Sequence, residues 1–369
     1  MIALVISTLH YFISFVLVLS VIVFVHEFGH YFIARISGVQ ATDFSIGFGR
    51  TIFSRKDKNG TIWRICAIPM GGYVKFLGDL DKSSSITKTD KILPQDQARM
   101  FCNKSLPIKA AIVVAGPIAN FIFSIIILTA MLYIGGINYL PTVINKIQIN
   151  SPAQMAGLLS GDKILAINNS KVEDFFQIDR IVSMNPNVQL SFLIERNNQK
   201  ITAAITPQPV TTQSMTNNEI IIGRIGIQSA IPEHKKLSLI ESTSRALRET
   251  INICDLTLKA IGQMFTGHRS YKEIEGPIGI AKLAGESTKR GIEFTLWLVA
   301  LLSINLGLIN LLPIPMLDGG HLLFYAIEII VGKKMLLHIH KFASAIGFVM
   351  IVGLSILAIA NDLINMKLF

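Results

Sequence analysis

The chain has 369 residues, of which 51% are hydrophobic and 16% charged, with a mean hydropathy of +0.52. Soluble proteins carry roughly 25% charged residues, so this composition excludes an ordinary soluble domain and points to a protein built in a membrane. The net charge is +10, yet nothing resembles a nucleic-acid module, and topology with anionic lipid accounts for the excess.

Residues 2–25 contain no Asp, Glu, Lys or Arg, and the first charged residue is Glu27. A run of about 20 such residues spans a bilayer. It has no basic n-region and no A-x-A-like cleavage site, so it reads as a retained span rather than a signal peptide. It runs directly into His26-Glu27-Phe28-Gly29-His30. On a helix His26 and His30 lie one turn apart and can face one ion, while Glu27 projects beside them, within reach of a water's proton. A carboxylate at bilayer depth costs about 2.5–3.5 kcal/mol on insertion scales, so such groups are usually functional. The pattern suggests a zinc protease site inside a membrane.

Residues 39–78 are rich in turn residues and short β-like runs: Gly47-Phe48-Gly49, then 61–67, Pro69, Gly71-Gly72 and 73–77. They predict a small hairpin beside the membrane. Residues 79–99, with Ser83-Ser84-Ser85, are polar and read as mobile. A second apolar run, 110–145, follows Pro107 and carries Ala115-Gly116-Pro117, small residues suited to close helix packing. Next, 142–206 reads as a compact β-rich unit around S-P-A-Q-M-A-G-L-L-S-G-D-K-I-L-A-I-N, residues 151–168. In Ser151-Pro152-Ala153, Ala156-Gly157-Leu158 and Gly161-Asp162 it resembles the PDZ domains of bacterial membrane and periplasmic proteases. That resemblance implies capture of an extended peptide by strand addition. Residues 207–218 read as a polar linker, and 237–265 as an amphipathic helix at the membrane surface or packed on the β unit.

A third run, 294–317, and a fourth, 342–361, complete four candidate spans. Thirteen Lys and Arg residues, from Arg35 to Lys109, lie between the first two, and Lys333, Lys334 and Lys341 between the last two. Both connections are therefore expected in the cytoplasm, with the termini and 137–290 outside. Cys66, Cys102 and Cys254 lack CxxC spacing and read as packing residues with no internal disulfide. His10, His234 and His268 have no ligand-like company; His338 and His340 sit in a basic loop, and His321 reads as an interfacial hydrogen-bonding group.

Two histidines and a water leave a catalytic zinc one protein ligand short. Six residues after His30 stands Ile36, and the next Glu after Glu27 is Glu173, so two familiar soluble solutions are closed. Asp43 is one alternative, although turn residues surround it. The better candidate lies in S-I-N-L-G-L-I-N-L-L-P-I-P-M-L-D-G-G-H, where Pro313 and Pro315 break the helix and free backbone groups. Asp318 follows the break at the same depth as His26, though it could instead cap the helix over 319–331.

With H-E-x-G-H, G-F-G, a PDZ-like unit and N-x-x-P-x-P-x-x-D-G together, the chain resembles the bacterial site-2 protease family of intramembrane zinc metalloproteases, of the regulator of sigma-E protease type. The resemblance implies a Zn2+ cofactor on His26, His30 and Asp318, with Glu27 as general base. It also implies that Asn305, Asn310, Pro313 and Pro315, with Gly47 and Gly49, hold a substrate strand. Members often carry two PDZ domains, whereas one is visible here. The expected architecture is a multi-pass α-helical membrane protein of about four spans with an inserted β-rich PDZ domain and a cytoplasmic-side β hairpin. Its expected segments are 1–35, 36–104, 105–136, 137–210 (PDZ), 211–290 (linker and amphipathic helix), 291–332 and 333–369. The implied partners are single-span membrane substrates such as anti-sigma factors or remnant signal peptides, a PDZ peptide ligand and membrane lipid, in a bacterial inner membrane. A catalytically silent PDZ-bearing scaffold and a metal transporter are the rival classes.

Overall fold

The computed structural model describes residues 2–78, 94–172, 174–213, 219–266 and 275–365. It contains two compact units, one formed by Met1–Met131 with Leu239–Phe369 and the other by Leu132–Ser238. Among the described residues four helices are long and apolar enough to cross a membrane: Ile6–Ile36, Leu106–Gly135, Ile292–Asn310 and Ala345–Ile364.

In the first unit, α1 (Ile2–Ile36) continues through the histidine motif, past residue 25 where the charge-free run ends. A helix bonds its own backbone, so the motif's polar groups can enter an apolar setting without exposing peptide groups. A hairpin follows, β1 (Ala41–Lys56) and β2 (Ile62–Phe76). It is strongly bulged, so Phe44 lies opposite both Val74 and Trp63, and Ile46 opposite both Gly72 and Ile65. Gly47 and Gly49 make the bend in β1, each at φ +84°. A Cβ on Gly47 would lie 2.6 Å from the Ile68 carbonyl oxygen, so only glycine fits. Two 3₁₀ turns, Pro94–Arg99 and Phe101–Asn103, lead into α2 (Leu106–Gly135). Of the stretch over 79–99 expected to be mobile, 79–93 lies outside the described residues and Pro94–Arg99 is the first of these 3₁₀ turns.

The second unit opens with β3 (Ile137–Tyr139), β4 (Ile144–Ile147) and the one-turn α3 (Pro152–Met155). Then come β5 (Lys163–Ile167), β6 (Ser170–Lys171), α4 (Phe175–Ser183), β7 (Leu190–Arg196) and β8 (Gln199–Ile205). β6, β5, β7 and β8 form a four-stranded antiparallel sheet in that order. Ile144, Ile164, Ile167, Ile178, Phe192 and Ile205 are its buried core. The Gly161-Asp162 turn is pinned by a bidentate pair, Arg196 Nε to Asp162 Oδ1 and Arg196 Nη2 to Oδ2, each 2.7 Å.

This unit continues beyond the expected boundary at residue 210. β9 (Gln208–Gln213) pairs with β10 (Glu219–Arg224), where a polar linker was expected. β11 (Ile227–Ser229) returns to β4, and β12 (Glu233–Lys235) to β3. The polar composition of β9 hid it: Thr and Gln on a two-stranded ribbon need no apolar face, so no alternation appears.

Back in the first unit, α5 (Leu239–Phe265) occupies the segment expected to be an amphipathic helix. α6 (Pro277–Arg290), α7 (Ile292–Asn310), α8 (Asp318–Val331) and α9 (Lys333–Asn365) complete the chain. α6 was not anticipated; its polar sequence gives little apolar signal. The buried Asp362 carboxylate holds its N-terminus by accepting from Gly276, Ile278 and Gly279 N–H at 2.9, 2.9 and 3.1 Å.

α2 packs against both α1 and α7. A Cβ on Gly29 of α1 would lie 2.4 Å from the Ala115 carbonyl oxygen, and one on Gly307 of α7 would lie 3.0 Å from that of Pro117. Ser124 donates to the Ala300 carbonyl (3.0 Å) and Ser303 to that of Asn120 (3.1 Å). Small residues and hydroxyl bridges are the means by which helices associate where no hydrophobic force drives them together. α7 ends at Asn310, and 311–317 is irregular, with Met316 at φ +80°. Such a conformation on a side-chain-bearing residue is strained and needs surrounding support.

Candidate metal centre

Three ligand-type side chains from distant parts of the first unit converge. His26 Nε2 lies 3.2 Å from Asp318 Oδ2, His30 Nε2 lies 3.5 Å from the same oxygen, and the two Nε2 atoms are 3.3 Å apart. Among the described residues this is the one group of three or more such side chains with a shared focus. Asp318 opens α8, but its buried Oδ2 has no well-formed hydrogen bond and faces the imidazoles rather than capping the helix. Asp43, the other candidate, is paired with Arg64 at 2.7 Å.

The outer nitrogens of both rings are anchored on α2. His30 Nδ1 lies 2.8 Å from the Ile112 carbonyl oxygen, so Nδ1 carries the proton and Nε2 turns its lone pair inward. His26 Nδ1 lies 3.2 Å from the Asn120 amide, which is fully buried. With the Asn120 amide oxygen turned to this nitrogen it accepts from an Nδ1–H, which frees the second Nε2 in the same way. Three acceptor atoms then face one another, an arrangement that calls for a cation. A tetrahedral ion with bonds of about 2.0–2.1 Å holds its ligands about 3.4 Å apart, and the separations here match that edge.

Glu27 sits beside the centre against β2. Its carboxylate lies near the Val74 backbone N–H, and a Cβ on Gly72 would lie 3.0 Å from Glu27 Cγ. Asn310 ends α7 with Nδ2 3.4 Å from His26 Nε2, next to the focus. Asn305 is occupied differently: its Oδ1 accepts from Thr257 of α5 at 3.0 Å. Pro313 is exposed and Pro315 half-buried in the break. The Pro315 carbonyl lies against Gly347 of α9, where a Cβ would be 2.4 Å away. Gly47 and Gly49 shape the hairpin bend. His10 bonds Thr288 Oγ1 at 2.9 Å, and His234 bonds Asn138 at 3.0 Å.

Sequence reading missed Asn120, and it took Gly116 for helix packing alone and the hairpin as a whole rather than its Gly72–Val74 edge. Gly116 leaves the space for the His30 ring, since a Cβ there would lie 2.3 Å from Nε2. One signal was present: Ala115-Gly116-Pro117 with a lone Asn three residues on, inside an apolar run.

Comparison with known proteins gives the family. The sequence profile of peptidase family M50 matches residues 14–354. "Putative zinc metalloprotease RC0203" of Rickettsia conorii is 39% identical, with 96% of this chain and 98% of that one aligned. "Metalloprotease MmpA" of Caulobacter vibrioides is 32% identical, with 97% and 96% aligned. Among solved structures, the PDZ domain of an SdrC-like protein from Listeria innocua is matched over 26% of this chain and 99% of that one, at 18% identity and TM-score 0.20. The chain belongs to peptidase family M50, the site-2 protease family of zinc-dependent metalloproteases. It is a multi-pass membrane metalloprotease.

Proposed function

We propose that the protein hydrolyses peptide bonds within or near the membrane span of single-span proteins, with zinc held by His26, His30 and Asp318. The convergence of three inward-facing acceptors at 3.2–3.5 Å carries this reading. Zinc bound there supplies Lewis acidity, polarising a carbonyl and bringing a water's pKa near ~7. Glu27 is placed beside the Gly72–Val74 edge to take a proton from the attacking water and return it to the leaving amine.

A helical substrate hides its carbonyls in its own hydrogen bonds, so it must be drawn out as a strand before attack. Asn310 beside the centre and the β2 edge at Gly72–Val74 are suited to hold that strand, and the amide of Asn305 becomes available when Thr257 releases it. The second unit acts as a PDZ-type filter that binds an extended peptide; it carries none of the proposed ligands. The substrates are proteins already trimmed outside the membrane, such as anti-sigma factors or remnant signal peptides, in regulated intramembrane proteolysis. The setting is a bacterial inner membrane with both termini extracytoplasmic.

Glu27→Gln tests the reading, because it removes the base and leaves all three ligands. The purified variant is expected to retain zinc and lose cleavage of a single-span substrate. Near-normal turnover in metal-replete Glu27→Gln would overturn the role given to Glu27.

A further inference from the structure

The C-terminal turns of α1 and the tip of the hairpin enclose a cleft of about 730 Å³, apart from the metal centre. One wall is apolar. Phe28, Phe32 and Ile36 recur every four residues on α1 and are 39%, 50% and 66% exposed. Phe24, Phe28 and Phe32 stack as a ladder, with ring centroids 5.6 and 6.1 Å apart. On a helix that spans a bilayer, such a ladder offers a track for an acyl chain.

The other end of the cleft is cationic. Arg35 donates to the Tyr31 hydroxyl at 3.1 Å, and the Asn59 amide, turned over, accepts from both guanidinium nitrogens at 2.9 and 3.2 Å. Both partners are neutral, so the guanidinium is held in place and its charge is not cancelled. Lys58 lines the same cleft and is exposed. A second cleft of about 430 Å³, on the other side of Trp63, adds Arg55 and Lys56.

Among the described residues lining the two clefts the one carboxylate is Asp57, which offsets one of the four positive charges and whose oxygens are already engaged. It accepts from Asn59 N–H (2.8 Å), Thr61 N–H (3.0 Å), the Trp63 indole (3.0 Å) and Tyr31 (3.4 Å). Burial opposes its charge, but the Trp63 indole and the two backbone N–H groups hold it below the usual carboxylate range. Trp63 in turn stacks on Phe44 at 4.3 Å, which makes the floor of the cleft rigid. A fixed guanidinium with an adjacent ammonium suits phosphate, and an apolar track leading away from it suits a lipid rather than a free ion.

We propose that this cleft binds an anionic phospholipid, with the phosphate at Arg35 and Lys58 and an acyl chain along Phe24, Phe28 and Phe32. It requires α1 to span the bilayer but involves neither metal nor proteolysis, so it can fail without affecting the reading above.

Trp63 serves as the reporter. The chain has two tryptophans, so Trp297→Phe leaves Trp63 alone in the full-length protein. Reconstituted in phosphatidylcholine vesicles, its fluorescence is quenched by a minor fraction of acyl-brominated phosphatidylglycerol or, separately, brominated phosphatidylcholine. Stronger quenching by the phosphatidylglycerol is expected, with the preference falling roughly fivefold for each cation removed in Arg35→Gln and Lys58→Gln. Should Arg35→Gln disturb the fold through Tyr31, Lys58→Gln alone decides, since that exposed side chain makes no hydrogen bond or ion pair among the described residues. Equal quenching by the two lipids, or an undiminished preference in Lys58→Gln, would overturn the proposal. Relief of quenching by free glycerol 3-phosphate at comparable concentration would also overturn it, because the site would then read an anion and not a lipid.

Discussion

Gly116→Ala should break the metal centre from outside its ligand set. The added Cβ would lie 2.3 Å from His30 Nε2 and 2.5 and 2.9 Å from two ring carbons, where ordinary contact begins near 3.4 Å. About 1 Å must therefore be yielded by the ring or by the helices. The ring is tethered by Nδ1 to the Ile112 carbonyl at 2.8 Å, and Gly29 already meets the α2 backbone with no slack. Metal–ligand bonds of about 2.0–2.1 Å tolerate shifts of roughly 0.2 Å, so His30 is lost as a ligand or the helices part. Loss of a merely supporting contact costs about 10–100-fold in metal affinity, which is the least expected here. Turnover should fall by about 10²-fold or more. The measurements are zinc per protein across a chelator series and cleavage of a single-span substrate. Gly262→Ala in α5 is the control, because nothing lies within 4 Å of its Cβ position; it should leave both readouts unchanged. Gly116→Ala with full zinc and wild-type turnover would refute the packing argument.

Asp318→Asn should weaken zinc retention and activity together, since an amide is a poorer ligand than a carboxylate; unchanged zinc content and turnover would require a different third ligand. In the β-rich unit, Asp162→Asn removes the bidentate partner of Arg196 and should destabilise that unit by about 2–4 kcal/mol, read as faster amide exchange over its strands. Burial works to raise the Asp162 pKa, but Arg196 and the Leu159 N–H outweigh it and hold it below the usual value. Because the folded value is the lower one, the stabilisation is complete above about pH 4. It is lost as the pH falls toward the lowered value, and Asp162→Asn should abolish that acid-side dependence. Excising 137–235 with a short flexible replacement should keep cleavage of a small pre-trimmed substrate, and cleavage of substrates with bulky outer portions should stay the same or increase. If the excised protein binds zinc and cuts neither, the unit is needed for catalysis.

What was legible in the sequence was local. His26, Glu27 and His30 share one helical turn, and Asn310, Pro313, Pro315 and Asp318 share one break, so each group is readable as a string. Their shared depth made Asp318 the better candidate and family resemblance implied the full ligand set, because no periodicity in either string reports a partner some 290 residues away. The anchoring roles were barely legible. The His30 anchor is the backbone carbonyl of Ile112, which any residue would provide. Asn120 stands singly in an apolar helix, and Gly116 reads there only as a helix-packing residue, since Gly is common in membrane spans. The β9–β10 ribbon failed for another reason: with one pairing partner and little burial, its residues are under weak compositional constraint.

The arrangement also explains why small residues in the spans bear on function as well as on packing. Three acceptors within 3.5 Å of one another repel in a medium of low dielectric. Without a cation they would swing apart unless something behind each resisted. Behind His26 stands Asn120, and behind His30 the Ile112 carbonyl. Asp318 is held by a backbone turn so tight that a Cβ on Gly319 would lie 2.2 Å from the Leu312 carbonyl oxygen and one on Gly320 2.3 Å from that of Ile314. Each support comes from a helix or turn that reaches its position only because glycine lets two backbones approach: Gly29 between α1 and α2, Gly307 between α7 and α2, and Gly347 between α9 and the break. A methyl group at any of these positions would push a support back by up to an ångström while leaving every ligand in the sequence. The geometry that receives the ion is thus set by helix separation, and helix separation by glycine.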